Sequence, residues 1–250
     1  MFNFKSIKTK LIIYLICFAL YLALKEHDFV FLFKAFLAAA AAVIIESLIL
    51  YFKVKKIQIS ESPVITGLII GYVLSADEAW WKFVGVCILA IGSKHVIRFK
   101  KKHIFNPAVF GIFIATVLWG VSTQWKGTYG WYVLIPLGVY FIYKINKIEL
   151  FIGYAVSSLV LFGAQAYLQK INPLNIFGYF SYFYIFVMVI EPKTSPIKKT
   201  GKYLFGVGLA VLIFLLTEEG VKFDAELCAL LVLNMFVPLL NKIPERRRLV

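Results

Sequence analysis

Apolar residues run through this chain in blocks of membrane-spanning length, separated by short polar connections. Uninterrupted blocks lie at 10–25, 29–52, 79–97, 129–145, 148–169 and 202–217. Four more, at 62–75, 105–121, 174–191 and 224–241, are shorter or broken by polar residues. About 20 apolar residues as a helix cross the hydrocarbon core, so the pattern predicts an all-α polytopic membrane protein with about ten transmembrane segments. The first block follows a basic N-terminal stretch but ends at Lys25-Glu26-His27-Asp28 with no small-x-small cleavage site, so a retained first span is expected. No connection is long enough for a soluble domain, and 1–250 is read as one membrane domain.

Composition narrows the class further. Of the 250 residues, 61% are hydrophobic and only 16% charged, and the mean hydropathy is +0.84. Such a chain is no soluble enzyme, disordered segment, coiled coil or disulfide scaffold. The formal net charge of +14 resembles that of a nucleic-acid binder until the basic residues are located. With the N-terminus placed in the cytoplasm, 21 of the 27 Lys and Arg fall in or beside inward-facing loops and four in outward-facing ones. The excess therefore reads as orientation and attraction to anionic lipid. A multi-pass protein of the cytoplasmic (inner) membrane with both termini cytoplasmic is expected, with no nucleic-acid partner.

The two halves resemble each other. KFVGVCILAIGSKHVIRFKKKHIFNPAVFGIFI (82–114) and KYLFGVGLAVLIFLLTEEGVKFDAELCALLVL (202–233) share a Lys-aromatic start, a Gly-Val pair, a span, a charged loop and Phe-Asn or Phe-Asp before the next span. Five spans per half turn the copies upside down relative to each other. The expectation is two inverted repeats, 1–125 and 126–250, with a ligand site where repeats of this kind meet.

Several polar residues interrupt the apolar pattern. Asn106-Pro107 suits a helix start, and equally a helix N-terminus aimed at a polar ligand. Glu46, inside a span, is expected to pair with Lys53 two turns away or to reach the membrane boundary; Lys34 is expected to snorkel. Glu191-Pro192-Lys193-Thr194-Ser195-Pro196 ends a span and offers a carboxylate and two hydroxyls. Thr66-Gly67, with Gly71, forms a small-residue stripe for close helix packing or for a flat cofactor. Trp80, Trp81, Trp119, Trp125 and Trp131 read as an interfacial belt. Cys17, Cys87 and Cys228 read as buried small hydrophobes. His27, His95 and His103 lack metal-site spacing, so no metal is expected. Neither a catalytic triad nor a phosphate-binding Gly loop is present, and no catalytic residue is assigned.

Four stretches together carry a family resemblance. ESPVITGLIIGYVLSADEAWW (61–81), AIGSKHVIRFKKKHIFNPAVFG (90–111), EPKTSPIKKTGKYLFGVGLAVLIFLL (191–216) and EGVKFDAELCALLVLNMFVPLLN (219–241) resemble, in order, elements of the D-type membrane subunit of the Rnf electron-transport complex and the B-type membrane subunit of the sodium-translocating NADH:quinone reductase. The resemblance implies a ten-helix inverted-repeat flavoprotein subunit that passes electrons across the membrane, coupled to Na⁺ or H⁺ movement. It implies FMN or riboflavin as cofactor and a place for Asn106 in its pocket; Pro107, Lys94, Thr66, Gly67, Glu191 and Thr194 are the further candidate cofactor-binding residues. Expected partners are other electron-transport subunits, or a soluble NAD(P)H- or ferredoxin-linked flavoprotein on the cytoplasmic face.

The chain also departs from the family pattern. The family's Ser-Gly/Ala-Ala-Thr attachment stretch has no counterpart, and the outer loop GVSTQWKGTYG (120–130) offers Thr123 as the candidate for covalent attachment. Non-covalent flavin is therefore favoured. A Gly-Gly loop before Asn-Pro-Ala is replaced by IRFKKKHI, and Glu191 stands for the usual Asp. A flavin-free solute channel or transporter of urea-transporter-like architecture is the alternative.

Overall fold

The structure, a computed structural model, describes residues 6–55, 60–100, 102–170, 172 and 180–244. Helices occupy the predicted blocks: α1 (Ile7–Lys25), α2 (Phe29–Val54), α3 (Glu61–Val73), α4 (Trp80–Val96), α5 (Pro107–Trp119), α6 (Trp131–Lys144), α7 (Ile148–Leu168), α8 (Lys199–Glu218) and α9 (Ala225–Leu240). The block at 174–191 lies partly outside the described residues; its described part contains a π-helical turn, Tyr184–Met188. Local chemistry sets several boundaries. The Ser6 hydroxyl accepts from Lys8 N–H, the Asp28 carboxylate from Phe31 N–H and the Asp224 carboxylate from Leu227 N–H, each capping a helix start. Gly120 and Gly220, at φ +59° and +61°, follow the ends of α5 and α8, where the left-handed turn favours glycine.

Helices α1, α2, α7 and α8 are long and apolar enough to cross a bilayer. Large apolar side chains such as Leu24, Phe33, Val160 and Leu168 stand exposed on them, as a lipid environment requires. This is a multi-pass membrane protein. The 13-residue helices α3 and α5 rise only ~20 Å each, short of the roughly 30 Å core. Non-helical backbone continues both. Ser75 N–H donates to Ser122 O at 3.0 Å, Gln124 N–H to Val73 O at 2.7 Å, and Leu74 and Thr123 form an antiparallel bridge. The two non-helical tails satisfy each other's backbone groups, which is what backbone outside a helix needs in a membrane protein.

The chain divides into two compact units: one within Met1–His103 and Pro107–Leu134, the other within Ile104–Asn106 and Ile135–Val250. In the first, Gly67 and Gly71 of α3 seat on the backbone of α2; a Cβ on either would strike Ala38 and Ala39, or Ala35. This is the close-packing role expected of the stripe. In the second, a Cβ on Gly153 of α7 would meet Tyr203 O of α8 at 2.7 Å, and one on Gly206 of α8 would strike Leu150 O of α7.

The cysteines divide. Cys87 is buried, with its thiol donating to Ala38 O at 3.3 Å, but Cys17 is exposed and Cys228 half-buried. In a bilayer an apolar residue gains little by facing inward, so the apolar character of α1 did not determine which way Cys17 points. Between α4 and α5 the expected loop is a short antiparallel hairpin, β1 (Arg98–Phe99) with β2 (Lys102–His103).

Candidate functional site

Each unit buries a polar cluster. In the first, Glu46 of α2 is only 5% exposed. Its Oε1 lies 2.9 Å from Lys94 Nζ and its Oε2 3.2 Å from His95 Nε2, both on the last turn of α4. The imidazole contact is close but not aligned as a hydrogen bond. Lys94 Nζ also donates to Ser62 Oγ at 3.3 Å. Thr66 donates its hydroxyl to Ser62 O at 3.1 Å, while Glu61 accepts from Ser6 Oγ at 3.1 Å and from Thr9. The expected partner of Glu46 is thereby corrected. Lys53 is exposed, whereas Lys94 faces α2 across the packed helix pair. Lys34 reaches the backbone carbonyls of Ala76 and Glu78 at the other end of the unit.

That other end carries the Lys126–Asp28 pair at 2.7 Å and Lys82–Glu78 at 2.7 Å. Burial would raise the Asp28 carboxyl, but the Lys126 ammonium and Phe31 N–H hold it below its ordinary value. Thr123 sits here, half-buried on the bridge to Leu74. Trp80, Trp81, Trp119 and Trp131 are exposed around the same end, with Trp81 and Trp119 edge to face at 5.9 Å, as an interfacial belt requires.

In the second unit, Asn106 is 2% exposed. Its backbone N–H donates to Asn234 Oδ1 at 2.9 Å and its Nδ2 to Met188 O at 3.1 Å. Asn234 of α9 donates its Nδ2 to Thr194 O at 2.8 Å. Thr194 donates its hydroxyl to Glu191 Oε2 at 3.2 Å, and Ser195 to Glu191 O at 2.7 Å. The next residue of the turn, Pro196, accepts at 2.7 Å from the buried Lys147 Nζ. Lys202, 3% exposed, pairs with Glu149 at 3.2 Å. Sequence reasoning singled out Asn106, Glu191 and Thr194, and the fold brings all three together. It missed Asn234, whose signal was a lone amide deep in an apolar helix. Lys147 and Lys202, read as orienting charges, are buried and bonded; nothing local distinguishes them from solvated loop lysines.

Burial pushes the Lys147 ammonium down to about 8, with Lys202 adding to the fall and Glu149 opposing it. Between that value and the ordinary 10.5 the unfolded chain binds more protons than the folded one. Stability should therefore be flat below about pH 8 and climb with pH toward about 10.5. Unfolding titrations in detergent across that window should show the climb, and Lys147→Met should abolish it.

The polar clusters lie among the residues that a family profile aligns. The profile of the NQR2, RnfD, RnfE family matches residues 2–178 and 133–249 in two overlapping stretches. The chain belongs to the NQR2, RnfD, RnfE family. Among relatives of this NQR2, RnfD, RnfE member, the D-type subunit of the ion-translocating oxidoreductase complex of Stutzerimonas stutzeri is 34% identical over 57 residues. That stretch is 23% of this chain and 16% of the relative.

Proposed function

We propose that this family member is a membrane subunit of an ion-translocating oxidoreductase complex, taking part in flavin-linked electron transfer coupled to Na⁺ or H⁺ movement. The family match along the whole chain carries the reading. Its two halves would be inverted repeats with both termini cytoplasmic. In both halves the repeated helix is followed by one that packs back on it: a Cβ on Gly111 of α5 would meet Val86 O of α4 at 2.7 Å, and one on Gly208 of α8 would meet Leu233 of α9 at 3.0 Å.

The residues expected to hold FMN or riboflavin fit it poorly within either unit. Lys94 is engaged by Glu46 and Ser62, the Thr66 hydroxyl by Ser62 O, and the Gly67 surface by α2. Asn106 and Thr194 are bonded through Asn234, and Thr194 donates to Glu191. A flavin would have to replace these bonds to use these groups. A cleft of about 550 Å³ between α6 and α7, walled by Pro136, Tyr140, Tyr143 and Phe151, is large enough for a small molecule. It offers aromatic stacking and few polar anchors.

Visible absorbance of the purified full chain tests the flavin, and co-purification of further subunits tests the complex. About one flavin per chain, released on denaturation, is the expected result for a non-covalent group. A colourless chain would end the flavin part of the proposal while leaving complex membership to stand or fall by co-purification. A mass adduct on the intact chain that disappears in Thr123→Val would instead show covalent attachment.

A further inference from the structure

Where α2 and α4 end, the first unit uses costly backbone. Lys55 caps α2 at φ 56° and Lys100 turns the β1–β2 hairpin at φ 46°. The left-handed region disfavours a non-glycine residue, and glycine or asparagine would serve either turn more cheaply. Lysine at both sets two ammonium groups at that place. The two helix ends are neighbours, tied by Glu46 to Lys94 and His95. Lys53, Lys55, Lys100 and Lys102 are exposed there, and neither 47–55 nor 96–103 contains a carboxylate to offset them. Between these cations stand Phe52, 72% exposed, and Phe99, 49% exposed.

An acidic protein surface would have to set an apolar patch between its carboxylates to answer both. At the edge of a bilayer, phosphate and acyl chain lie within one side-chain length of each other, so both kinds of residue are satisfied together. We propose that the end of α2 and the β1–β2 hairpin form a binding surface for anionic phospholipid, with headgroup phosphates on the four lysines and the first acyl carbons against Phe52 and Phe99.

Native mass spectrometry of the full chain tests this, after extraction from membranes containing equal phosphatidylglycerol and phosphatidylcholine. Wild type should retain phosphatidylglycerol preferentially. Lys53→Gln/Lys55→Gln/Lys100→Gln/Lys102→Gln should lose that preference by at least about tenfold. The same four positions changed to Arg should keep it, and so should Lys222→Gln, which removes an exposed charge elsewhere. A Gln variant that keeps its phosphatidylglycerol, or a wild type that holds both lipids alike, overturns the proposal. Displacement of the lipid by inorganic phosphate at the same concentration would mark a plain anion site and overturn it. Loss of a soluble acidic protein from the Gln variant, with lipid unchanged, would overturn it in favour of a protein partner.

Discussion

Lys94→Met is expected to destabilise the protein by about 3–5 kcal/mol, because it leaves the Glu46 carboxylate buried without its ammonium. Glu46 is 5% exposed and its Oε1 has Lys94 Nζ at 2.9 Å. The neighbouring imidazole lies within 3.2 Å of Oε2 but out of hydrogen-bond alignment, so it replaces little of what is lost. Glu46→Leu alone should cost less, since Lys94 has a long stem and can carry its charge outward. The double variant Glu46→Leu/Lys94→Met should recover most of the stability, because two apolar groups of similar volume replace the pair. Unfolding curves in mixed micelles for wild type, both single variants and the double variant form the cycle that measures the coupling. Equal losses in Lys94→Met and the double variant would show that the pair is not the source of the effect.

Asn234→Leu should cost about 2–5 kcal/mol, the loss of two buried hydrogen bonds that leaves both former partners unsatisfied. The side chain accepts from Asn106 N–H and donates to Thr194 O, so it joins the segment before α5 to the turn after the π-helical stretch. Asn106→Leu removes the side-chain donation to Met188 O at 3.1 Å but keeps the backbone N–H that Asn234 accepts, and should cost about 1–3 kcal/mol. Hydrogen exchange offers a local check: in Asn234→Leu, the Asn106 amide should lose protection before the amides in the middle of α7 and α8. Unchanged protection at Asn106 would mean that another acceptor serves it.

The positions of α1 to α9 were legible because hydrophobic block length is a local signal, and in lipid the backbone must satisfy itself within each segment. The same rule bears on the shorter blocks. The blocks at 62–75 and 105–121 read as shorter segments, and α3 and α5 are indeed short, with non-helical backbone following each. Apolar content marks what leaves water, not which backbone geometry carries it. At the candidate site, Asn106, Glu191 and Thr194 stood out because Asn-Pro and Glu-Pro mark the ends of apolar runs, where polar side chains meet the segment boundary. Lys147 and Lys202 were not, because a buried lysine beside a loop has the same sequence neighbourhood as a solvated one.

From its sequence alone, this protein was bound to be a helical membrane protein with intramembrane polar groups that had to find partners. Which partners they found was decided only by the tertiary structure: Glu46 meets Lys94 across 48 residues, and Asn106 meets Asn234 across 128. The physical reason is that the cost of burying a polar group attaches to one residue. Its relief depends on which helix faces are brought within hydrogen-bond distance, and that is a property of packing.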